Sequence, residues 1–537
     1  MTVPPDADVV IAGGGSAGCV LAARLSEDPA RRVVLIEAGG KGGGLLVAMP
    51  AGTFALMGHA RADWSYPTEP DPSVGGRVGQ WSGGKMLGGS SAINGMVYVR
   101  GQREDYDRWV ANGAAGWAWN DVLPYFLKSE RFSGPPSQFH GTLGPLRVGP
   151  GRARHELVDA VMDSFAALDV PKRADYCDGD QFGVYENLTT TGDGKRSSTA
   201  QAYLKPALKR PNLHVVTGAL VDKVLIEDGR AVGLRYLLGD KTHVLHARDV
   251  IVSAGAIGSP AILMRSGIGP AEHLRGMGID VRADLPVGRN LQEHAGTTFS
   301  KLVNVPTYNS PAGPWRLGRN LLHWLLTGSG PMASAAVHVM AGVKSDPSLD
   351  EPDVSISFMP LAIDMSTGKP RMHPKPGITI GGNSMRPDSR GEIRLRSADP
   401  HDKPVIDHRL LGDERDLRRL IATGKLIARL FDTPPLRDHV VGANYPVELP
   451  CDDQAWEAHI RQSANIGYHP VGTCRMGGAD AVVDPELRVR GMDRLRVVDA
   501  SVMPIIVSGN TNAATIMIAE RAAAFFCTSL EAERSAR

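Results

Sequence analysis

Residues 8–37 read Asp-Val-Val-Ile-Ala-Gly-Gly-Gly-Ser-Ala-Gly-Cys-Val-Leu-Ala-Ala-Arg-Leu, a short spacer, then Arg-Arg-Val-Val-Leu-Ile-Glu. The order predicts a strand, a glycine turn, a helix and a second strand closed by an acid. Gly13 suits a tight turn, Gly15 a close approach of backbone to a pyrophosphate, and Gly18 close packing of helix on strand. Ser16 and Ala17 open the helix, whose free N–H groups and positive dipole end suit phosphate. Glu37, followed by Ala38, is placed to accept the hydrogen bonds of a ribose diol. A bare Gly-x-Gly-x-x-Gly is a weak signal, but one framed by strand and helix, with the acid about 20 residues on, points to a dinucleotide cofactor.

Length and charge narrow the rest. A chain of 537 residues with 42% hydrophobic composition exceeds the roughly 250–300 residues at which single cores stop growing, so two domains are expected. With 59 basic against 58 acidic residues the net charge is +1, which gives no overall field to attract nucleic acid or an anionic membrane. The five cysteines, Cys19, Cys177, Cys451, Cys474 and Cys527, are odd in number and lack ligand spacing. They read as mostly buried, reduced thiols of a cytosolic protein, with no metal site. The apolar start lacks a basic leader and is broken by Gly13, Gly14 and Gly15, so it reads as the first βα unit. No stretch is long enough for an integral membrane span; Leu321 to Leu326 is short and precedes a Gly-Ser-Gly turn.

Along the chain, residues 39–103 are rich in glycine and small side chains, which suits backbone running close to a ligand. A second apolar strand, Asp249 to Ala254, meets Gly255-Ala256-Ile257-Gly258-Ser259-Pro260 and a helical stretch at 261–266, repeating the N-terminal order. A short strand at 495–499 and helical spacing at 511–526 bring similar pieces back near the C-terminus. Residues 300–460 differ: alternation in Val354-Ser355-Ile356-Ser357-Phe358 and around Ile393 predicts an antiparallel sheet covered on one face, and Glu414 to Phe431 reads as a helix.

Two constellations carry chemistry: Tyr468-His469-Pro470-Val471-Gly472-Thr473-Cys474-Arg475-Met476-Gly477 and Ser508-Gly509-Asn510-Thr511-Asn512-Ala513-Ala514-Thr515. With the Gly13–Gly18 turn, Gly88-Gly89-Ser90-Ser91 and Gly255–Pro260, they resemble the glucose-methanol-choline family of FAD-dependent alcohol oxidoreductases over nearly the whole chain. The resemblance implies an α/β fold, α+β overall, with a Rossmann-like FAD-binding domain at 1–300. A substrate-binding domain of antiparallel sheet plus helices follows at 301–459, and 460–537 returns to complete the first domain.

It also implies roles. His469 is the expected base, a neutral imidazole kept out of a helix by Pro470, and Asn512 the carboxamide that donates to the substrate oxygen as charge develops there. An N-cap role for Asn510 or Asn512 on the helix that follows fits equally. Trp64, Met86, Gly89 and Ser90, then Asn94, Met96 and Val97, correspond to positions that wrap the flavin ring and pyrophosphate. Val221 corresponds to the adenine contact, and Asp499 and Ala500 to the ribityl and pyrophosphate end. Ala254, Gly255, Asn510 and Thr511 complete the expected cofactor contacts.

Two departures discriminate among relatives. Where some members carry a histidine bonded to the flavin, this chain has Ile93, so FAD is expected to be noncovalent. Where some oxidases have a valine two residues before the base, it has Gly467, which favours a dehydrogenase with a quinone-like acceptor over an oxidase using O2. The expected substrate is a primary alcohol, with aliphatic, aryl and sugar alcohols all open. An aryl- or furfuryl-alcohol-like oxidase reducing O2 to hydrogen peroxide, a hydroxynitrile lyase on the same scaffold, and a nicotinamide-dependent reductase or noncatalytic dinucleotide-binding protein are the alternatives.

Overall fold

The computed structural model describes residues 6–309, 314–364 and 371–535. Two sheets carry the fold. In the first, β1 (Asp6–Ala12), β2 (Val33–Glu37) and β3 (Leu213–Thr217) run parallel. The meander β4 (Ala219–Glu227), β5 (Arg230–Leu238) and β6 (Lys241–Val252) is antiparallel, and the second half of β6 lies parallel against the other side of β1. Val9 to Ala12 and Val33 to Ile36 are buried, as unbroken apolar runs in a sheet covered on both faces should be. Helix α1 (Ser16–Leu25) follows β1, and α2 (Gly255–Arg265) follows β6.

Helix α2 begins where the sequence suggested a turn, and it runs through Pro260. A proline inside a helix leaves the carbonyl four residues earlier without its N–H. That carbonyl, on Ala256, accepts instead from the Thr473 hydroxyl at 2.6 Å, a bond made by the segment that carries His469.

The second sheet is antiparallel: β7 (Ala295–Val303), β8 (Val339–Val343), β9 (Val354–Met359), β10 (Gly377–Ser384), β11 (Val440–Tyr445) and β12 (Asn465–Ile466), in the order β8-β9-β10-β7-β11 with β12 beside β7. Helix α3 (Pro314–Thr327) leaves this sheet for the surface, and α4 (Glu414–Phe431) packs on β7 and β10. The expected open face is closed. Ser355, polar in the alternating pattern, is buried, while Phe182 bridges to Gly342 along the outer edge of β8. The second core also takes in Leu157 to Val184, and β7 straddles residue 300. The expected boundaries therefore cut through packed structure. The strand expected around Ile393 forms, but at Gly391–Arg394 and in a separate three-stranded sheet.

The chain then returns. β13 (Leu495–Val497) adds parallel to β6, and α5 (Asn512–Ser535) packs on α1. Arg24 on α1 bonds the buried Glu520 of α5 at 2.8 Å, and Ser16 Oγ donates to Asn512 Oδ1 at 3.0 Å. Cys19, Cys177 and Cys474 are buried free thiols and Cys451 is exposed; the side chain of Cys527 lies outside the described residues.

Candidate active site

A cavity of about 390 Å³ opens beyond the carboxyl ends of β1, β2 and β6, where open α/β sheets place ligands. At one end it is walled by Gly13, Gly15, Ser16 and Ala17, and beside them by Glu37 and Ala38. Trp64, Gly89, Ser90, Asn94, Met96 and Val97 form a second wall. Val221, Ala254, Gly255, Asp499 and Ala500 line it from the sheet, and His469, Asn510, Thr511 and Asn512 complete the lining, with Asn512 bonded to Ser16.

Two expected residues stand away from the cavity. Gly18 acts in packing: a Cβ there would lie 1.9 Å from the Gly13 carbonyl oxygen. Met86 is turned into a small apolar cluster with Val47, Leu56 and Ile93, and its backbone carbonyl accepts from Gly89 N–H.

The cavity fits a dinucleotide. Helix α1 has no side-chain cap on its first N–H groups, so its positive end faces the cavity unspent. A Cβ at Gly89 would meet Gly15 Cα at 2.7 Å, so two glycine loops come together there with no room for side chains. Glu37 is held by N–H groups of Gly14 at 2.8 Å and Gly39 at 2.7 Å, with lone pairs left for hydroxyl donors. Burial pushes its carboxyl above the usual range. Asp499 is committed differently: it accepts from Gly255 N–H, Ser259 Oγ and Ser501 N–H, which ties α2 to the returning chain.

At the other end the protons can be placed one by one. His294 Nε2 lies 3.1 Å from the Met385 carbonyl oxygen, which can only accept, so Nε2 carries the hydrogen. Burial lowers the His294 pKa to about 4, so the ring is neutral and its Nδ1 is an acceptor. His469 Nδ1 lies 3.0 Å from that atom and must therefore donate. Burial, and then the neighbouring His294, hold His469 well below the ordinary imidazole range. Its Nε2 lone pair is thus free, and the Asn510 amide donates to it at 2.8 Å. The result is a neutral base with its tautomer fixed from behind.

Backbone bonds hold the same loop. His469 N–H reaches both oxygens of Glu293 at 2.8 and 2.9 Å, and His294 N–H reaches one at 2.7 Å. Burial pushes the Glu293 carboxyl up to about 8, against these N–H donors. Tyr468 takes a positive φ of 64°, a strained setting for a tyrosine that persists because its neighbours are pinned.

The geometry corrects one expected role. Asn510, not Asn512, meets His469. Asn512 is the first residue of α5, and its oxygen is engaged by Ser16. Asn510 precedes the helix, and its amide reaches His469. Neither caps α5; Thr511 is the residue before it. Sequence reading also missed Glu293 and His294. The available signal was the polar run Gln292-Glu293-His294 directly before an apolar strand, a place where a buried strand has no packing use for such residues.

Among the described residues, one group elsewhere brings ligating atoms close together: His140, Asp175 and Cys177. Both His140 nitrogens are taken by Glu130 and Asp175, and the Arg100 guanidinium bonds Glu130 and the Cys177 carbonyl. A buried cation already fills the role a metal would have.

Residues 7–296 and 387–519 match the two parts of the GMC oxidoreductase family model. The chain belongs to the GMC oxidoreductase family. The oxygen-dependent choline dehydrogenase of Sinorhizobium medicae (strain WSM419) is 41% identical over 525 residues, 96% of this chain and 95% of its own. The mitochondrial choline dehydrogenase of Homo sapiens is 41% identical over 527 residues, 96% and 88% respectively. The crystal structure of pyridoxine 4-oxidase from Mesorbium loti matches with a TM-score of 0.88 at 32% identity, covering 97% of this chain and 99% of that one. This GMC protein is accordingly an FAD-dependent oxidoreductase acting on CH–OH donors, which sets aside the nicotinamide-dependent alternative. Among the described residues, no helix is long and apolar enough to cross a membrane.

Proposed function

We propose that the protein oxidises a primary alcohol to an aldehyde, with His469 taking the hydroxyl proton on Nε2. FAD, when bound, supplies the acceptor for the hydride that leaves the same carbon. The observation that carries this reading is the hydrogen-bond chain from Met385 through His294 and His469 to Asn510. It presents one unprotonated nitrogen to the cavity, next to a carboxamide donor. The alcohol oxygen, displacing the Asn510 amide from His469, takes an N–H from Asn510 as it loses its proton. Ser16, Ala17 and Glu37 hold the nucleotide, and Thr511 and Asn512 bring the start of α5 beside Ser16, where a helix N-terminus favours negative charge.

The test is anaerobic: a panel of primary alcohols, choline included, mixed with the purified protein. Bleaching of the flavin bands by at least one alcohol supports the reading. Flavin that no alcohol bleaches would favour the lyase.

Gly467 supports an acceptor other than O2. A Cβ there would lie 3.0 Å from the His294 carbonyl oxygen and 3.1 Å from His469 Nδ1. The imidazoles fill the space a valine would need, and no apolar side chain shapes the pocket. Reoxidation by a soluble quinone is then faster than by air. The buried thiols of Cys19, Cys177 and Cys474 support a reducing, cytosolic compartment.

Ile93 lines the cavity and is aliphatic, which supports noncovalent FAD. Acid precipitation is expected to release all the flavin to the supernatant. Yellow colour retained in the pellet would contradict it. For domain organisation the packing favours a nucleotide half built on β1–β6 with β13 and α5, and a substrate half built on β7–β12 that recruits residues 157–184.

A further inference from the structure

Helix α3 stands on the surface with its apolar side outward. Trp315 is 92% exposed, Leu326 77% and Leu322 57%. At about 100° per residue these three fall within about 20° of a common direction. Trp324 lies opposite them, buried, its indole N–H donating to the Gly194 carbonyl at 2.7 Å. The helix is therefore held at Trp324, beside which Leu317 stays half exposed, and offers solvent a seam of large apolar side chains, with Leu325 on one flank. A helix folded for its own core would be turned the other way.

The charges on the chain segment that carries it are of one sign. No acidic residue occurs between Glu293 and Asp346. Arg316 and Arg319 lie on the other flank of the seam, exposed and without an ion pair among the described residues. Arg152 lies beside Gly328, just past the helix, and the neighbouring Asp193 is paired with Arg147 and Arg152. An apolar seam with a cationic fringe is what inserts at a headgroup boundary carrying negative charge. Fourteen residues span about 21 Å, too short to cross a bilayer and suited to lying in its plane.

We propose that α3 docks the protein onto an anionic lipid bilayer. A second copy of the chain fits this surface poorly. A two-fold contact sets the same patch against itself, and Arg316 and Arg319 would meet like charges with no carboxylate on the helix to pair them. The docked face also adjoins the cavity. Pro331–Ala333, just after α3, packs on Pro50–Gly52; beyond that turn Phe54 is half exposed and Met57 lines the cavity. Docking itself depends on nothing in the proposed chemistry.

The test is co-sedimentation of the FAD-loaded protein with sucrose-filled vesicles. One set is phosphatidylcholine alone, the other equal parts phosphatidylcholine and phosphatidylglycerol. At low salt, partition into the mixed vesicles is expected to exceed that into phosphatidylcholine by at least about 10-fold, and to fall as sodium chloride is added. L322D/L326D is expected to lose binding to both sets, and R316E/R319E to lose the preference for the mixed set. Both should keep the wild-type flavin spectrum and rate of flavin reduction, because the helix touches neither. A wild-type protein that stays in the supernatant with mixed vesicles overturns the proposal, as does L322D/L326D partitioning like wild type. Sedimentation velocity without lipid supplies the remaining arm: a dimer that L322D/L326D splits, with no vesicle binding by either protein, assigns the seam to a second copy and refutes docking.

Discussion

His469→Ala is expected to slow anaerobic flavin reduction by at least about 100-fold, the scale of a lost general base, while FAD remains bound. The side chain bonds His294 and Asn510, and neither the α1 turn nor Glu37, so its removal leaves the nucleotide contacts in place. Stopped-flow reduction with a saturating alcohol measures the loss, and the visible spectrum checks retention. Near wild-type reduction would remove His469 from the role. The same experiment on the unaltered protein carries a pH signature. A base is competent while neutral, and burial with the adjoining His294 lowers the His469 pKa well below the imidazole value. The rate should therefore hold as pH falls through about 6.5, and decline only further into acid. A fall centred at or above the ordinary imidazole value would contradict the buried, His294-backed arrangement.

Asn510→Ala and Asn512→Ala are expected to separate by effect. Loss of one preorganised donor to a developing oxyanion costs about 100- to 1000-fold in turnover, and the amide that meets the base belongs to Asn510. Asn512→Ala frees Ser16 Oγ at the start of α1, which should weaken FAD retention more than it slows hydride loss. The pair is compared by reduction rate on FAD-saturated protein and by the concentration of FAD needed to saturate it. If Asn512→Ala proves the slower variant in reduction, the oxyanion donor is Asn512.

The N-terminal βα unit was legible because every cue there is local: apolar runs at strand length, glycines at fixed offsets, an acid at the strand end. α4 was read at its observed bounds for the same reason. What escaped notice depended on distant partners. The helical state of Gly255 to Pro260 rests on a hydroxyl from Thr473, more than two hundred positions away, which no window of sequence contains. Asn510 and Asn512 are alike in type and neighbours in the chain; only the start of α5 decides which one reaches across. His294 and Glu293 gain their meaning from His469, with which they share no pattern in the sequence. The continuous burial of β8 and β10 likewise reflects layers contributed by other segments, which alternation within one strand cannot report.

The lacing of the two chain ends has a consequence for biosynthesis. A nascent polypeptide can form β1, α1 and β2 early, yet β6 lacks its β13 neighbour and Ser16 lacks Asn512 until residues 495–512 have left the ribosome. Domains generally form from the N-terminus during translation, but here His469 and Asn510 reach the cavity only long after the βα unit that holds the nucleotide is made. A stalled or prematurely terminated product would thus carry a nucleotide cradle with no imidazole and no carboxamide opposite it, so a half-made enzyme cannot run the reaction.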